Sequence, residues 1–256
     1  LKDIKNHHKR THTLKNMRFV VAGKLTGRKF AIKEHLEGWQ LETGERFAIP
    51  HDEPRRANPV LIRRKEATNL TFGWSMVVPR ELTDEEADAM SALNHILTGT
   101  MSSRIFGSAR KKGLAYSIFS DTSVGFYDSA WDFGGQVNID AAEKLFDIIV
   151  RELKRVLSGS ISAEDLESVK SYSLGRYQMG AQTVGQISNF YVGRYFADDF
   201  VRDYDGVPAS ILAVTSEQMI ETARQFFVAD AWTLAAVSSD DKILLLKLFD
   251  KLSKLF

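Results

Sequence analysis

The sequence contains no cysteine. That excludes disulfides, thiolate zinc sites, iron–sulfur clusters and a cysteine nucleophile, so any metal here would need His, Asp or Glu ligands. Neither sign of charge is in excess: 34 Lys+Arg stand against 33 Asp+Glu, a formal net charge of +1. A nucleic acid or an anionic membrane is therefore not an expected partner on global electrostatics. No apolar run approaches the roughly 20 residues that span a bilayer. The opening Leu1-Lys2-Asp3-Ile4-Lys5 also lacks the hydrophobic segment of a secretory signal. Because the chain begins with Leu rather than Met, its native N-terminus is expected to lie outside this sequence, and the cytoplasm is the expected compartment. There is no Gly-x-Ser-x-Gly elbow. Gly23-Lys24 follows a strand-like run, but Arg18 stands where a phosphate-binding loop would need glycine.

What is present suits a folded protein. The 256 residues are 44% hydrophobic, 11% aromatic and 26% charged, enough apolar material for a real core. Only 5 residues are proline, and three of them, Pro50, Pro54 and Pro59, fall in one polar stretch without helical or strand period. Residues 50–58 therefore read as a linker. Before it, Met17-Arg-Phe-Val-Val-Ala-Gly23 predicts a short buried strand. Arg28 to Trp39 has helical spacing in Phe30, Ile32, Leu36 and Trp39. These 49 residues are too few to bury much apolar surface by themselves.

After the linker, the pattern predicts strands at Pro59–Arg64 and Leu70–Val78. Thr83-Asp-Glu-Glu86 is a capping box that opens a helix with Ala89, Leu93, Ile96 and Leu97 on one face. Two strands are expected over 114–120 and 124–139, followed by a helix capped by Asp140 with Leu145, Ile149, Leu153 and Val156 in line. Ser162-Ala-Glu-Asp165 starts another helix. Helical signals continue to about residue 227, broken near Gly206-Val-Pro208. Ala231–Val237 reads as a final strand, followed by a helix from Lys242. Strands and helices are grouped rather than alternating, which predicts an α+β fold. A strand, turn and helix at Met17 and again at Trp232 suggest an internal repeat with an offset of 215 residues.

The least generic stretch is Met101-Ser-Ser-Arg-Ile-Phe106, followed by Gly113-Leu-Ala-Tyr-Ser-Ile118 and preceded by Ile96-Leu-Thr-Gly-Thr100. It resembles the signature of the non-catalytic half of zinc peptidases related to pitrilysin, insulysin and the mitochondrial processing peptidase, the M16 family. Asn16-Met17-Arg-Phe-Val-Val-Ala-Gly23 is similar to the segment that closes the family's first half. Ser162-Ala-Glu-Asp-Leu-Glu-Ser-Val-Lys170 is similar to one of its helices. The resemblance runs in the family's order over nearly the whole chain. It implies an antiparallel or mixed sheet with helices on one face, as one half of a duplicated architecture. Residues 1–49 would end the catalytic half, and 59–256 would form the second, non-catalytic domain.

The family's active half carries His-x-x-Glu-His on a helix, with two zinc-binding His and a Glu as general base. That motif is absent here. At the matching place stand Ser91, Asn94 and His95, so one ligand type survives without a base, and His95 reads as an ordinary helix residue. The resemblance thus implies no catalytic and no metal-binding residue in this chain, with zinc expected in the missing catalytic half. It also implies a role in holding substrate, where an Arg and a Tyr seven positions apart act in active members. Tyr116 matches the Tyr. The Arg position is Ala109, with Arg110 adjacent, so either Arg110 takes the role after a one-residue shift or this copy has lost it.

Other candidates are weaker. His7, His8 and His12 include an i, i+4 pair, but Lys9 and Arg10 would repel a cation and no carboxylate partner is evident. His51-Asp-Glu53 lies in the linker. The amphipathic C-terminal segment, Lys242 to Phe256, is expected to pack on its own sheet. The expected function is that of the substrate-enclosing half of a zinc metallopeptidase acting on unfolded peptides. Its partner would be the catalytic half, in the same polypeptide or in a homologous subunit. The rival expectation is a degenerate member serving as a structural or assembly subunit or a peptide-binding module, towards which Ala109 leans.

Overall fold

The computed structural model describes residues 1–27, 29–39, 41–46, 51, 57–198, 201–239 and 242–256. In chain order the elements begin with helices α1 (Lys2–Thr11) and α2 (Lys29–Glu37), strands β1 (Val60–Arg63) and β2 (Asn69–Val78), and helices α3 (Asp84–Asn94) and α4 (Arg104–Lys111). Strands β3 (Ala115–Val124) and β4 (Ser129–Asn138) follow, then helices α5 (Ala142–Leu157), α6 (Ala163–Met179), α7 (Val184–Asp198), α8 (Val207–Ala213) and α9 (Ser216–Gln225). Strand β5 (Trp232–Ser238) and helix α10 (Lys242–Ser253) end the chain. The fold is α+β. The chain divides into two units, one made of Leu1–Pro50 with Leu174–Ala209, the other of His51–Ser173 with Ser210–Phe256.

The second unit is organised on a five-stranded mixed sheet in the order β1-β5-β2-β4-β3, with β1 parallel to β5 and the other neighbours antiparallel. Period-two alternation places Leu70, Phe72, Trp74, Met76 and Val78 of β2 on the buried face. Trp131, Phe133 and Val137 of β4 and Trp232, Leu234 and Ala236 of β5 join them. Helices cover this face with their own apolar stripes: Leu145, Ile149, Leu153 and Val156 from α5, and Leu245, Leu248 and Leu252 from α10. Burying each such side chain contributes about 1.5–3 kcal/mol. The opposite face carries short residues, among them Thr71, Gly73 and Ala235, all exposed. The C-terminal helix packs within its own domain, as its apolar arc predicts.

Helix starts follow local chemistry. Thr83 accepts a hydrogen bond from the Glu86 N–H while the Glu86 carboxylate accepts from the Thr83 N–H, a complete capping box. Thr215 and Gln218 do the same at α9, and Ser162 and Asp165 form the reciprocal pair at α6. Glu86 also accepts two hydrogen bonds from Arg80 and one from Gln225 of α9. The Arg80 hydrogen bonds, working against desolvation and joined by those from Thr83 and Gln225, lower the Glu86 carboxyl from 4.5 to about 2. A depressed carboxyl stabilises the fold above its unfolded value and loses that contribution as pH falls towards the folded one. Stability should therefore drop between about pH 4.5 and 2. Acid titration of thermal stability should show a shallower drop over that interval in Glu86→Gln than in the unmodified protein, and equal slopes would refute the assignment.

Three expectations need correction. Residues 17–23 form no strand, and Phe19 and Val21 are 45% and 48% exposed. A strand exists only by pairing, and no neighbouring strand lies alongside among the described residues. Asp140 does not cap α5: it lies inside a 3₁₀ turn, Ile139–Ala141, which moves the helix start so that Ala141 is the N-cap without a side-chain bond. The strand expected over 124–139 begins only at Ser129, because residues 125–128 form the hairpin turn closed by Gly125 N–H donating to Asp128 O. Most of the proline-rich linker, Pro50 and residues 52–56, lies outside the described residues.

Candidate substrate-facing site

Helix α4 sets up the candidate site. Its buried positions Ile105 and Ala109 lock one side to the core, which turns Arg110 outward. The helix ends in a Schellman motif: Gly113 N–H donates to Arg110 O and Leu114 N–H to Ala109 O. Gly113 has φ +64°, a left-handed conformation that glycine adopts without steric cost. The chain then enters β3 through a bulge. Ala115 pairs with Val137 and Ser117 with Gln136, so Tyr116 is the extra residue.

That one residue decides where the phenol goes. Strict alternation back from buried Ile118 would place residue 116 on the core side. Ala115 takes that place instead, and Tyr116 is thrown outward, 78% exposed. Gly135, paired with Ile118 next to the bulge, permits this geometry: a Cβ there would lie 2.6 Å from Ser117 O. The Arg110 guanidinium carbon sits 5.0 Å from the centroid of the Tyr116 ring, a cation–π arrangement. Arg110, Tyr116, Leu114, Asn69, Gln136 and Asn138 line a cleft of about 360 Å³ at this end of the sheet. The two residues singled out from the sequence are thus brought together. Ala109 is fully buried, so an Arg there would have no route to Tyr116 without leaving the core.

Arg104 of the Ser-Ser-Arg stretch has a different use. It donates to Ser160 O at 2.8 Å and pairs with Asp165, tying α4 to the start of α6. Burial acts to raise the Asp165 carboxyl, but the hydrogen bonds from Arg104 and Ser162 outweigh it and leave the group below the ordinary carboxylate range.

On α3, the residues at the family's zinc positions are committed to structure. Trp131 Nε1–H donates to Asn94 Oδ1 at 2.8 Å, and Asn94 Nδ2–H donates to Thr122 Oγ1 at 3.0 Å. His95 Nδ1–H donates to Ser91 O at 2.8 Å, since a carbonyl can only accept, and its ring packs 5.0 Å from that of Tyr172. Beyond α3 the backbone winds into a π-helical turn, His95–Gly99, within which Thr98 Oγ1 accepts from Ser120 N–H at 2.8 Å. Because β3 is an edge strand, this bond supplies a partner for an N–H that the ladder does not use. An amide fully engaged by an indole and a hydroxyl, beside a single imidazole, does not fit zinc. Among the described residues no group of three His, Asp or Glu could hold a metal ion.

Sequence reasoning missed this clasp. A polar residue on the apolar face of a helix was the only signal that could have found it. The remaining histidines form no site: His8 and His12 stack at 3.9 Å on α1, exposed to solvent, and the His51 ring lies edge-on to Tyr127. Asp52 and Glu53 beside it lie outside the described residues.

A mixed sheet covered by helices on one face, with an exposed Arg–Tyr pair and, among the described residues, no group that could hold a metal, agrees with the half of a duplicated peptidase architecture that the sequence resemblance implies. The chain belongs to the peptidase M16 family: residues 1–172 match the model of the peptidase M16 inactive domain. It is 26% identical to the uncharacterized zinc protease YmxG of Bacillus subtilis over 200 residues, 73% of this chain and 46% of that protein. This chain therefore spans about half the length of that relative. In fold it is similar to a protease from Helicobacter pylori, with a TM-score of 0.76 at 20% identity over 93% of this chain and 59% of the other. It is also similar to a peptidase M16 inactive domain from Pseudomonas fluorescens, with a TM-score of 0.67 at 16% identity over 78% and 48% of the two chains. Among the described residues no helix is long and apolar enough to cross a membrane.

Proposed function

We propose that this chain is the substrate-enclosing half of a zinc-dependent peptidase that hydrolyses unfolded peptides. The catalytic half would be supplied by the same polypeptide or by a homologous subunit. The observation that carries the reading is the pairing of Arg110 with Tyr116 at a bulge, in a sheet whose Thr71, Gly73 and Ala235 are exposed on the face away from the core. Gly73 and Ala235 leave room there for an extended peptide, next to the Phe119 ring that lies over Gly134 on the same face. Held as an added strand at a sheet edge, an extended segment would be bound by main-chain hydrogen bonds with little regard for its side chains, leaving selection to size and shape. Arg110 brings several N–H donors suited to peptide carbonyls or a terminal carboxylate, and Tyr116 a single O–H that can donate or accept. Zinc, when bound in the catalytic half, would supply the activated water and polarise the scissile carbonyl.

The test is cleavage of an unstructured fluorogenic peptide by the full-length protein, after chelation and after zinc is restored. Zinc-dependent turnover is expected. Arg110→Ala should lower kcat/KM by about tenfold or more through loss of charged hydrogen bonds. A parent protein inactive under every metal condition, or zinc-dependent cleavage by this chain alone, would sink the proposal.

A further inference from the structure

The groove between α5 and α10, on the helical side of the sheet, has no part in the reading above. It is an open groove of about 580 Å³, lined by Arg151, Lys154, Arg155, Lys251, Lys254 and a single carboxylate, Asp147, with Val150 and Ser158 between them. Two of these cations are held by Glu152 of α5, whose side chain is 4% exposed. Its Oε1 accepts from Arg151 Nε and Nη2 at 3.0 and 2.8 Å, and its Oε2 accepts from Arg155 Nη1 at 3.0 Å. A buried carboxylate thus orients two guanidiniums that remain half exposed, at 52% and 54%. Lys251 is engaged by Asp147 and Glu143, whereas Lys154 and Lys254 have no ion pair among the described residues. Five cations against Asp147, Glu152 and Glu143 leave a surplus of two positive charges, those of Lys154 and Lys254.

Helix capping does not account for these cations. The terminal carbonyls of α5 have other donors: Lys154 O accepts from Ser158 N–H, Arg155 O from Ser160 N–H, Val156 O from Gly159 N–H and Leu157 O from Arg224. A concave site with two fixed guanidiniums and two unpaired ammoniums has the chemistry that recognises phosphate oxygens, with Arg supplying geometry and Lys supplying charge. Its volume falls within the range of small-ligand sites, roughly 300–1,000 Å³. We propose that the α5–α10 groove binds a phosphate-bearing polyanion of diphosphate or triphosphate size.

The test is calorimetric titration of the full-length protein with inorganic triphosphate at about 0.1 M salt, where exposed charges more than roughly 10 Å apart are largely screened. The double variant Lys154→Ala/Lys254→Ala leaves the Glu152 pairs intact and should weaken saturable binding by about tenfold or more. A charge-matched control on α1, Lys2→Ala/Lys5→Ala, should bind as the unmodified protein does. Sedimentation with vesicles carrying a phosphorylated lipid headgroup separates the two sources of the phosphate. Vesicle binding that the groove variant abolishes, without binding of free triphosphate, would place the phosphate on a lipid. Absence of both, or equal weakening in the groove and control variants, would overturn the proposal. None of these readouts depends on peptidase activity.

Discussion

Replacing Tyr116 with Phe in the full-length protein is expected to lower kcat for zinc-dependent peptide cleavage by about 10²–10³-fold, the cost of removing one hydrogen-bond donor from a developing oxyanion. KM should change little, because the ring, its contact with Arg110 and the cleft all remain. The fold should not notice the change. Tyr116 is 78% exposed and the substitution deletes only a solvated hydroxyl. Thermal unfolding of the variant is therefore the control, and its midpoint should match that of the parent. An unchanged kcat with an intact fold would remove Tyr116 from the substrate's path. An equal loss in kcat and stability would mark it as structural, which its exposure argues against.

The largest structural effect is expected at Asn94. In Asn94→Ala the indole N–H of Trp131, which is 0% exposed, loses its acceptor and cannot reach water, and the Thr122 hydroxyl loses a donor. An orphaned buried donor costs about 1–3 kcal/mol, and the lost packing of the amide adds to it. For a domain of this size each kcal/mol lowers Tm by about 2–4 °C, so a fall of several degrees should appear in a thermal melt. The Thr122→Val variant should cost less, since Trp131 keeps its partner. Equal Tm for Asn94→Ala and the parent would show that water or a shifted side chain takes over. Among the described residues the Nε1 of Trp74 is already a buried donor without a hydrogen-bond partner. Placing Glu at this position, as a catalytic copy has, would put a carboxylate where only 7% of the residue is exposed and where the partners suit an amide.

Much of the fold was legible because its rules are local. Thr83 and Glu86 lie three residues apart and satisfy each other's backbone partners, so the start of α3 could be placed without any knowledge of the sheet. The alternation from Leu70 to Val78 marks one buried face whatever lies against it. Where an element depends on a distant partner, the local rule fails. Met17 to Gly23 has the composition of a strand, but composition does not provide the neighbour whose N–H and C=O groups would complete a ladder. Asp140 is a good cap by type, but the 3₁₀ turn that displaces it follows from the entry of β4 into α5.

The candidate site was legible by residue type and illegible in its geometry. Tyr116 and Arg110 were singled out through the motif around them, with the one-residue offset from Ala109 unresolved. A bulge is a mismatch between two strands, so it is written in neither strand alone. Gly135, about twenty residues downstream, is what lets the backbone come close enough to turn Tyr116 outward.

The sequence by itself determined the α+β class, the helix starts that depend on capping residues, the kinship with the non-catalytic peptidase half and the lack of a His-x-x-Glu-His motif. Each of these depends on residue identity over a few positions. Only the tertiary structure decided that Arg110 meets Tyr116, that Asn94 serves Trp131 rather than a metal, and that cations about a hundred residues apart share one groove. Those facts depend on register and on packing between segments distant in the chain, where the free energy of each contact is set by its partner rather than by its sequence neighbours.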